Sequence, residues 1–224
     1  MLTAVLSLTR SEEKTMKVKL IAFDVNGTLF DDTQIFWEAI NGIFPKYGKK
    51  RLPLKTLQEK FRQPWTSIYR EFGITETMAS DDGLYKIYNQ LYGSQGSPTP
   101  VPGLKETLDW LRSRGVSLAI VSTQQNAITV PLLEKHGLAQ KFSEISGSAS
   151  DKAVALQNIM AAFDLLPECV AYVGDQEDDM KHAKRTGCVS IAFCGGLHDQ
   201  ARLKKTNQDF TIESMSELKN LLIF

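Results

Sequence analysis

The chain has 224 residues, 42% hydrophobic and 23% charged, which is ordinary for a folded globular protein and excludes a wholly disordered or fibrous one. Lysine plus arginine and aspartate plus glutamate each number 26, so the formal net charge is zero and no overall basic field argues for a nucleic-acid partner. No apolar run approaches the roughly 18–20 residues that cross a bilayer, so an integral membrane protein is not expected. Cys169, Cys188 and Cys194 are too few and too clustered for a disulfide framework and fit buried thiols in a reducing cytoplasm.

Residues 1–15 carry a short apolar stretch followed by Arg10 and a polar run, without the leading positive charge and small-residue cleavage site of a secretory signal. Residues 1–16 therefore read as a loosely ordered extension. Residues 18–23 form a mostly apolar run that ends at Asp24 and then at Asn26-Gly27, the pattern of a buried strand followed by a turn. Between Phe30 and Pro100 no comparable strand occurs. Aromatic-rich helical stretches fill 35–47, 54–61, 65–72 and 84–92, and a linker-like segment follows at 93–100. A small helical domain over 33–99 is expected, inserted between the first strand and the remainder. Beyond it, apolar runs at 116–121, 170–173 and 188–193, with a weaker one at 142–145, are mostly separated by helical patterns at 104–111, 153–163 and 178–185. Strands alternating with helices predict an α/β fold: a parallel sheet flanked by helices, built from residues 17–32 and 100–224. In such sheets the chemistry lies beyond the carboxyl ends of the strands.

The predicted strand ends carry a coherent set. The first delivers Asp24, the second Ser122 and Thr123, and the 170–173 strand delivers Gly174-Asp175 and then Glu177, Asp178 and Asp179; Lys152 opens the helix after the 142–145 run. Helix capping explains one such residue but not the ordered series. The set suits phosphoryl transfer to an enzyme carboxylate. Asp24 is the nucleophile, and it can approach a phosphate dianion only if charge is neutralised. A hard divalent cation such as Mg2+, held by Asp24 and the acids around Asp175, supplies that neutralisation. Ser122 and Lys152 hold the remaining phosphoryl oxygens. Backbone N–H groups of the turn from Val25 to Gly27 form a small anion nest, for which Gly27 frees the backbone.

These motifs resemble those of the haloacid dehalogenase (HAD) superfamily, and the likeness runs from about residue 17 to the end of the chain. Its first motif, a strand ending Asp-x-Asp-Gly-Thr, reads Asp24-Val25-Asn26-Gly27-Thr28 here; its second matches Ser122, its third Lys152, and its fourth Gly174, Asp175 and Asp179. The segment 101–122 is similar to the phosphoglycolate phosphatase-like branch, and the helical insertion to its C1-type cap. The resemblance implies a Rossmann-like core with a helical cap, a Mg2+-dependent phosphatase working through phospho-Asp24, and a metal held by Asp24, Asp175, Asp179 and the backbone carbonyl of Asn26.

One departure stands out: the family's second aspartate, which protonates the leaving alcohol and later activates water, is Asn26 here. A carboxamide exchanges no proton near neutral pH, so help of typically ~10²–10⁴-fold is missing unless something replaces it. Three readings stay open: a phosphatase for esters with good leaving groups or with a water relay; dehalogenase- or phosphonatase-type chemistry; and a weakly active or non-catalytic phosphate binder. Asp31 and Asp32 can stand in as a base, although a solvated turn is the plainer reading. Glu177 and Asp178 read as acids favoured by a helix N-terminus. Thr28 is expected to bond locally or orient Asp24, and Thr123 is the alternative to Ser122. Arg62, beside Pro64 and Trp65, is either a clamp for a second anionic group of the substrate or a surface arginine next to an aromatic core. The expected partner is a small phosphorylated metabolite, with no nucleic acid and no membrane, bound by a cytoplasmic monomer or weak homodimer.

Overall fold

The structure is a computed structural model that describes residues 18–221; the expectation for residues 1–16 lies outside them. The strands are β1 (Leu20–Phe23), β2 (Phe30–Asp31), β3 (Thr99–Pro100), β4 (Ser117–Val121), β5 (Glu144–Ser146), β6 (Val170–Gly174), β7 (Val189–Phe193) and β8 (Phe210–Ile212). The helices are α1 (Thr33–Ile43), α2 (Leu54–Lys60), α3 (Ser67–Glu71), α4 (Asp81–Ser94), α5 (Leu104–Ser113), α6 (Asn126–Lys135), α7 (Lys152–Ala162), α8 (Glu177–Thr186), α9 (Gln200–Leu203) and α10 (Leu218–Leu221).

Six strands form one parallel sheet in the order β5-β4-β1-β6-β7-β8. The period of two along each strand explains its layers. Ile21 and Phe23 of β1, Leu118 and Ile120 of β4, and Ala171 and Val173 of β6 point to one face, where Leu104, Leu108 and Leu111 of α5 and Leu132 and Leu133 of α6 cover them. Leu20, Ala22, Ala119, Val121, Val170 and Tyr172 point to the other, against Leu156, Ile159 and Met160 of α7 and Ala183 of α8. Because β1 is buried on both sides, its four residues are all apolar and fully enclosed. Burying each such large side chain contributes about 1.5–3 kcal/mol.

The topology also fixes where the strand ends meet. From β1 the chain builds outward to β4 and β5, then returns to the opposite side of β1 for β6, β7 and β8. The crevice of such a sheet opens where the order reverses, which here is at β1. Register pairs Phe23 with Ile120 and with Val173, so Asp24, Ser122 and Asp175 emerge within two residues of one another's level at the same sheet edge.

Helices α1–α4 enclose an apolar cluster of their own, including Ile40, Phe44, Leu57, Ile68, Tyr69 and Leu84, joined by Leu197 from beyond β7. The segment is closed at its root by β2 and β3, which pair antiparallel through Phe30 with Pro100 and Asp31 with Thr99. This two-residue ladder was not expected from the sequence, because its strands are too short to carry a period. Arg202 of α9 ties the helical segment to the sheet domain, donating to the carbonyls of Gln58 and Phe61 (2.6 Å to the latter) and to Glu177 at 2.8 Å.

Four further elements lay beyond the sequence expectation, two of them the four-residue helices α9 and α10. Edge strand β8 has three residues between Asp209 and Glu213, too few for a pattern. Helix α6 contains Pro131 after the β-branched run Ile128-Thr129-Val130, which blurs a helical reading. Among the described residues no helix is long and apolar enough to cross a membrane.

Candidate active site

Asp24 leaves the end of β1 almost wholly buried, and its carboxylate lies 2.9 Å from Nζ of Lys152, the first residue of α7. Asp151 caps that helix by accepting from the N–H of Ala153 at 2.9 Å, which holds the first turn in place. Lys152 also contacts Oδ1 of Asp179 at 2.6 Å. Tyr172 of β6 donates to the same oxygen at 3.2 Å, and the N–H of Gln176 donates to the other at 3.0 Å. Asp179 is thereby committed to three donors and orients Lys152. Asp175 lies on the cavity wall; its Oδ1 accepts from the Thr28 hydroxyl at 3.2 Å and its Oδ2 from the N–H of Leu197 at 2.7 Å.

Carboxylate oxygens of Asp24, Asp175 and Asp179 lie within 4.8 Å of one another, and all three residues are buried. Burial and then the neighbouring Asp179 and Asp24 carboxylates push the Asp175 carboxyl well above the usual range. Burial works against the Lys152 ammonium, but Asp179 and Asp24 outweigh it and raise its pKa. Three carboxylates against one ammonium leave excess negative charge in a buried place, and all the donors are hard oxygens. That donor set fits Mg2+. The space around Asp175 is reserved by glycines: a Cβ on Gly27 or on Gly196 would stand 2.3 Å from its Oδ2. Gly27 also has φ +70°, which favours glycine on backbone grounds.

At position 26 the structure shows what the sequence did not. The Asn26 amide donates to Oδ2 of Asp32 and, at 2.9 Å, to the hydroxyl of Tyr92 from α4; Tyr92 in turn donates to Asp32 at 2.7 Å. Asp31 is exposed but lies in β2 and not in a turn, and Asp32 is 3% exposed, so the solvated-turn reading fails for it. Burial raises the Asp32 carboxyl to about 6, against the hydrogen bonds from Tyr92, Asn26 and Gly27 that lower it. An acid followed by an aromatic-rich helix was the available signal, but no local pattern reveals that a residue 60 positions away closes over it.

Other expectations shift in the same way. The N–H of Gly27 bonds to Oδ1 of Asp32 and to the carbonyl of Phe30, at 2.8 and 2.9 Å, so it is already engaged instead of offered to an anion. The Val25 side chain is buried in the core, and Thr28 orients Asp175 rather than Asp24. Ser122 and Thr123 both line the cavity, and the Ser122 hydroxyl oxygen accepts from the N–H of Gln124 at 3.2 Å. Glu177 and Asp178 do stand in the first turn of α8, where Glu177 binds Arg202 and Asp178 accepts from the N–H of Gln63.

The cavity over these groups has a volume of about 440 Å³. Its floor is the strand-end cluster; its roof comes from α1, α4 and the turn between α2 and α3, including Phe36, Phe61, Trp65, Tyr85, Tyr88 and Tyr92. Arg62 is not brought to it. Its side chain is half exposed and pairs with Glu71 at 3.0 Å, because the turn directs Phe61, Gln63 and Trp65 to the cavity instead.

Comparison with known proteins agrees with this geometry. The chain is 27% identical over 217 residues to the phosphoglycolate phosphatase of Chromobacterium violaceum, covering 92% of this chain and 96% of that protein. It is 26% identical over 215 residues to that of Vibrio parahaemolyticus, covering 90% and 94%. A haloacid dehalogenase-like family hydrolase from Streptococcus pneumoniae superposes with a TM-score of 0.76 at 24% identity over 91% of this chain and 98% of its own, which shows the shared fold. The family model for haloacid dehalogenase-like hydrolases matches residues 21–193, from β1 through β7, and to that family the chain belongs.

Proposed function

We propose that this protein is a Mg2+-dependent phosphatase that cleaves a small phosphorylated metabolite through a phosphorylated Asp24. The observation that carries the reading is the buried convergence of Asp24, Lys152, Asp175 and Asp179 below a cavity walled by the helical segment. Similarity to phosphoglycolate phosphatases along nearly the whole chain supports the same reaction class.

Asp24, Asp175 and the Asn26 backbone carbonyl, with Asp179 at the edge of the set, would hold Mg2+, which would offset the charge of a phosphate dianion beside a carboxylate. An Asp24 oxygen attacks phosphorus, and the bond from phosphorus to the alcohol oxygen breaks, the leaving oxygen taking its proton from water because Asn26 has none to give. Lys152 and the Ser122 hydroxyl hold phosphoryl oxygens as charge shifts onto them. Water then attacks phosphorus, the bond from phosphorus to the Asp24 oxygen breaks, and the proton lost by the water passes to solvent, releasing inorganic phosphate and restoring the Asp24 carboxylate. Helices α1–α4 act as the cap, limiting water above the site. The buried acids fit this chemistry better than a dehalogenase. A phosphonatase wants a cap lysine for a Schiff base, and none of the candidates Lys46, Lys49, Lys55 and Lys60 lines the cavity. The reading carries with it a cytoplasmic monomer or weak homodimer, for which three free cysteines are suitable.

The test is turnover of phosphate esters with Mg2+ and with chelator, on the unaltered chain and on Asp24→Asn. The expected result is metal-dependent release of phosphate, reduced at least about a thousandfold in Asp24→Asn with the fold unchanged by circular dichroism. Equal turnover by the variant overturns the phospho-aspartate route, and absence of turnover in the unaltered chain favours the phosphate-binder reading.

A further inference from the structure

Resting on the phosphatase reading, the cavity roof carries a more specific message about the alcohol half of the substrate. A carboxylate-bearing substrate such as phosphoglycolate is held best by a cation beyond the phosphoryl site. Among the described residues that line the cavity there is no lysine, arginine or histidine. Lys152, at the phosphoryl end, is bound to Asp24 and Asp179, and Arg62 is paired with Glu71. A second anionic group would instead meet Asp32, an additional carboxylate on the wall.

What the roof does supply is a run of aromatic rings. Phe61 meets Phe36 with centroids 5.0 Å apart, Phe36 meets Tyr88 at 6.1 Å, and Tyr88 meets Trp65 at 5.1 Å and Tyr92 at 5.6 Å. An all-structural aromatic cluster would close on itself, but these rings line a cavity of about 440 Å³, inside the range of ligand sites at about 300–1,000 Å³. Apart from Asp32 and, on the floor, Asp24 and Asp175, the polar groups that line the cavity with them are uncharged, the amides of Gln63, Asn89, Gln124 and Gln125 and the hydroxyls of Thr33 and Ser148 among them. Aromatic faces with uncharged donors and acceptors suit a planar, uncharged ring.

We propose that the preferred substrate is a phosphomonoester whose alcohol bears an uncharged aromatic ring and no carboxylate, with the ring seated against Trp65 and Tyr88. A nucleobase and a simple aryl group share this chemistry.

The test compares adenosine 5′-monophosphate, benzyl phosphate, ribose 5-phosphate and 2-phosphoglycolate, measuring kcat/KM on the unaltered chain and Kd on Asp24→Asn, both with Mg2+. Adenosine 5′-monophosphate and ribose 5-phosphate release comparable primary alcohols, so their ratio isolates the base. At least about a tenfold preference for a ring-bearing ester over ribose 5-phosphate is expected, the size of one ring stacked on an aromatic side chain, with 2-phosphoglycolate poorest. Benzyl phosphate alone exceeding ribose 5-phosphate identifies a simple aryl source, and adenosine 5′-monophosphate alone a nucleobase.

Tyr88→Leu should shrink the preference toward unity and Tyr88→Phe should keep it. Asn89→Lys, which leaves the rings intact, should raise the relative affinity for 2-phosphoglycolate several-fold. Ribose 5-phosphate or 2-phosphoglycolate bound as well as either ring-bearing ester overturns the proposal. Loss of all turnover strikes the phosphatase reading alone, since the binding ratios on Asp24→Asn still decide the ring preference.

Discussion

The amide of Asn26 and the carboxylate of Asp32 form a contact pair that shares the Tyr92 hydroxyl. Replacing Asn26 alone by aspartate would set two carboxylates against each other in a buried place, where one must hold a proton. Asn26→Asp is therefore expected to lower the melting temperature at pH 8 more than at pH 5. The exchange Asn26→Asp with Asp32→Asn keeps one amide and one carboxylate in contact, with the carboxylate now at position 26. The double variant should recover the stability lost by the single one. It should also raise kcat for alkyl phosphates by about a hundredfold and for 4-nitrophenyl phosphate far less, because only an alkoxide leaving group needs a proton. Steady-state kinetics on both esters and thermal melts at the two pH values check this. Unchanged kcat in the double variant would show that position 26 is not where the proton is exchanged.

Loops at the sheet edge matter as much as the strands that aim them. The turn after β1 and the loop after β7 press Gly27 and Gly196 against the Asp175 carboxylate, leaving no room for a side chain on either. A Cβ at position 196 would also lie 2.4 Å from the Gly27 carbonyl, so the loop has no free direction in which to yield. Gly196→Ala is expected to displace the Asp175 carboxylate and raise the Mg2+ concentration needed for half-maximal turnover at least about tenfold. Titrating activity with Mg2+ gives the number, and an unchanged Mg2+ dependence would remove Asp175 from the metal set. The same loop places Leu197 in the apolar cluster of α1–α4 and gives its N–H to Asp175, so one element joins the site floor to the helical roof.

At the scale of the whole molecule, the junction between sheet and helical segment sets a response to acid. His198 is 2% exposed and accepts from the N–H of Glu177 at 3.1 Å. Burial, with Arg202 beside it, lowers its pKa from 6.5 to about 4. Above pH 6.5 the imidazole is neutral in folded and unfolded chains alike, and its contribution is constant. Between pH 6.5 and 4 the unfolded chain takes up a proton that the folded chain refuses, so stability falls as pH is lowered, by about 3 kcal/mol in all. Below pH 4 both are protonated and the loss stops growing. Urea unfolding of the unaltered chain and of His198→Gln at pH 7.5 and 4.5 tests the assignment: the variant should show the smaller acid loss, by about 2–3 kcal/mol. Equal losses would place the acid sensitivity elsewhere.

Local residue patterns by themselves determined the sheet strands β1, β4, β6 and β7, because a strand buried on both faces must be a short apolar run, whatever surrounds it, whereas the weaker run at 142–145 only overlaps the edge strand β5. They also determined that Asp24, Ser122, Lys152 and Asp175 belong together, since an alternating chain delivers its strand-end residues to one edge. The roles of Asp32, Tyr92 and Thr28 were decided only in three dimensions. Asp32 looks like any turn acid until α4 returns to bury it, and Thr28 reaches across 147 positions of sequence to Asp175. The aromatic residues of α1–α4 read equally as packing or as a cavity wall, because hydrophobic spacing records which face of a helix leaves water but not what that face meets. The turn at 61–65 shows the limit most plainly: its arginine, the residue with the most specific chemistry, faces Glu71, while its neighbours Phe61, Gln63 and Trp65 line the cavity. Side-chain direction in a turn depends on backbone torsions set by distant contacts, and the order of residues does not contain them.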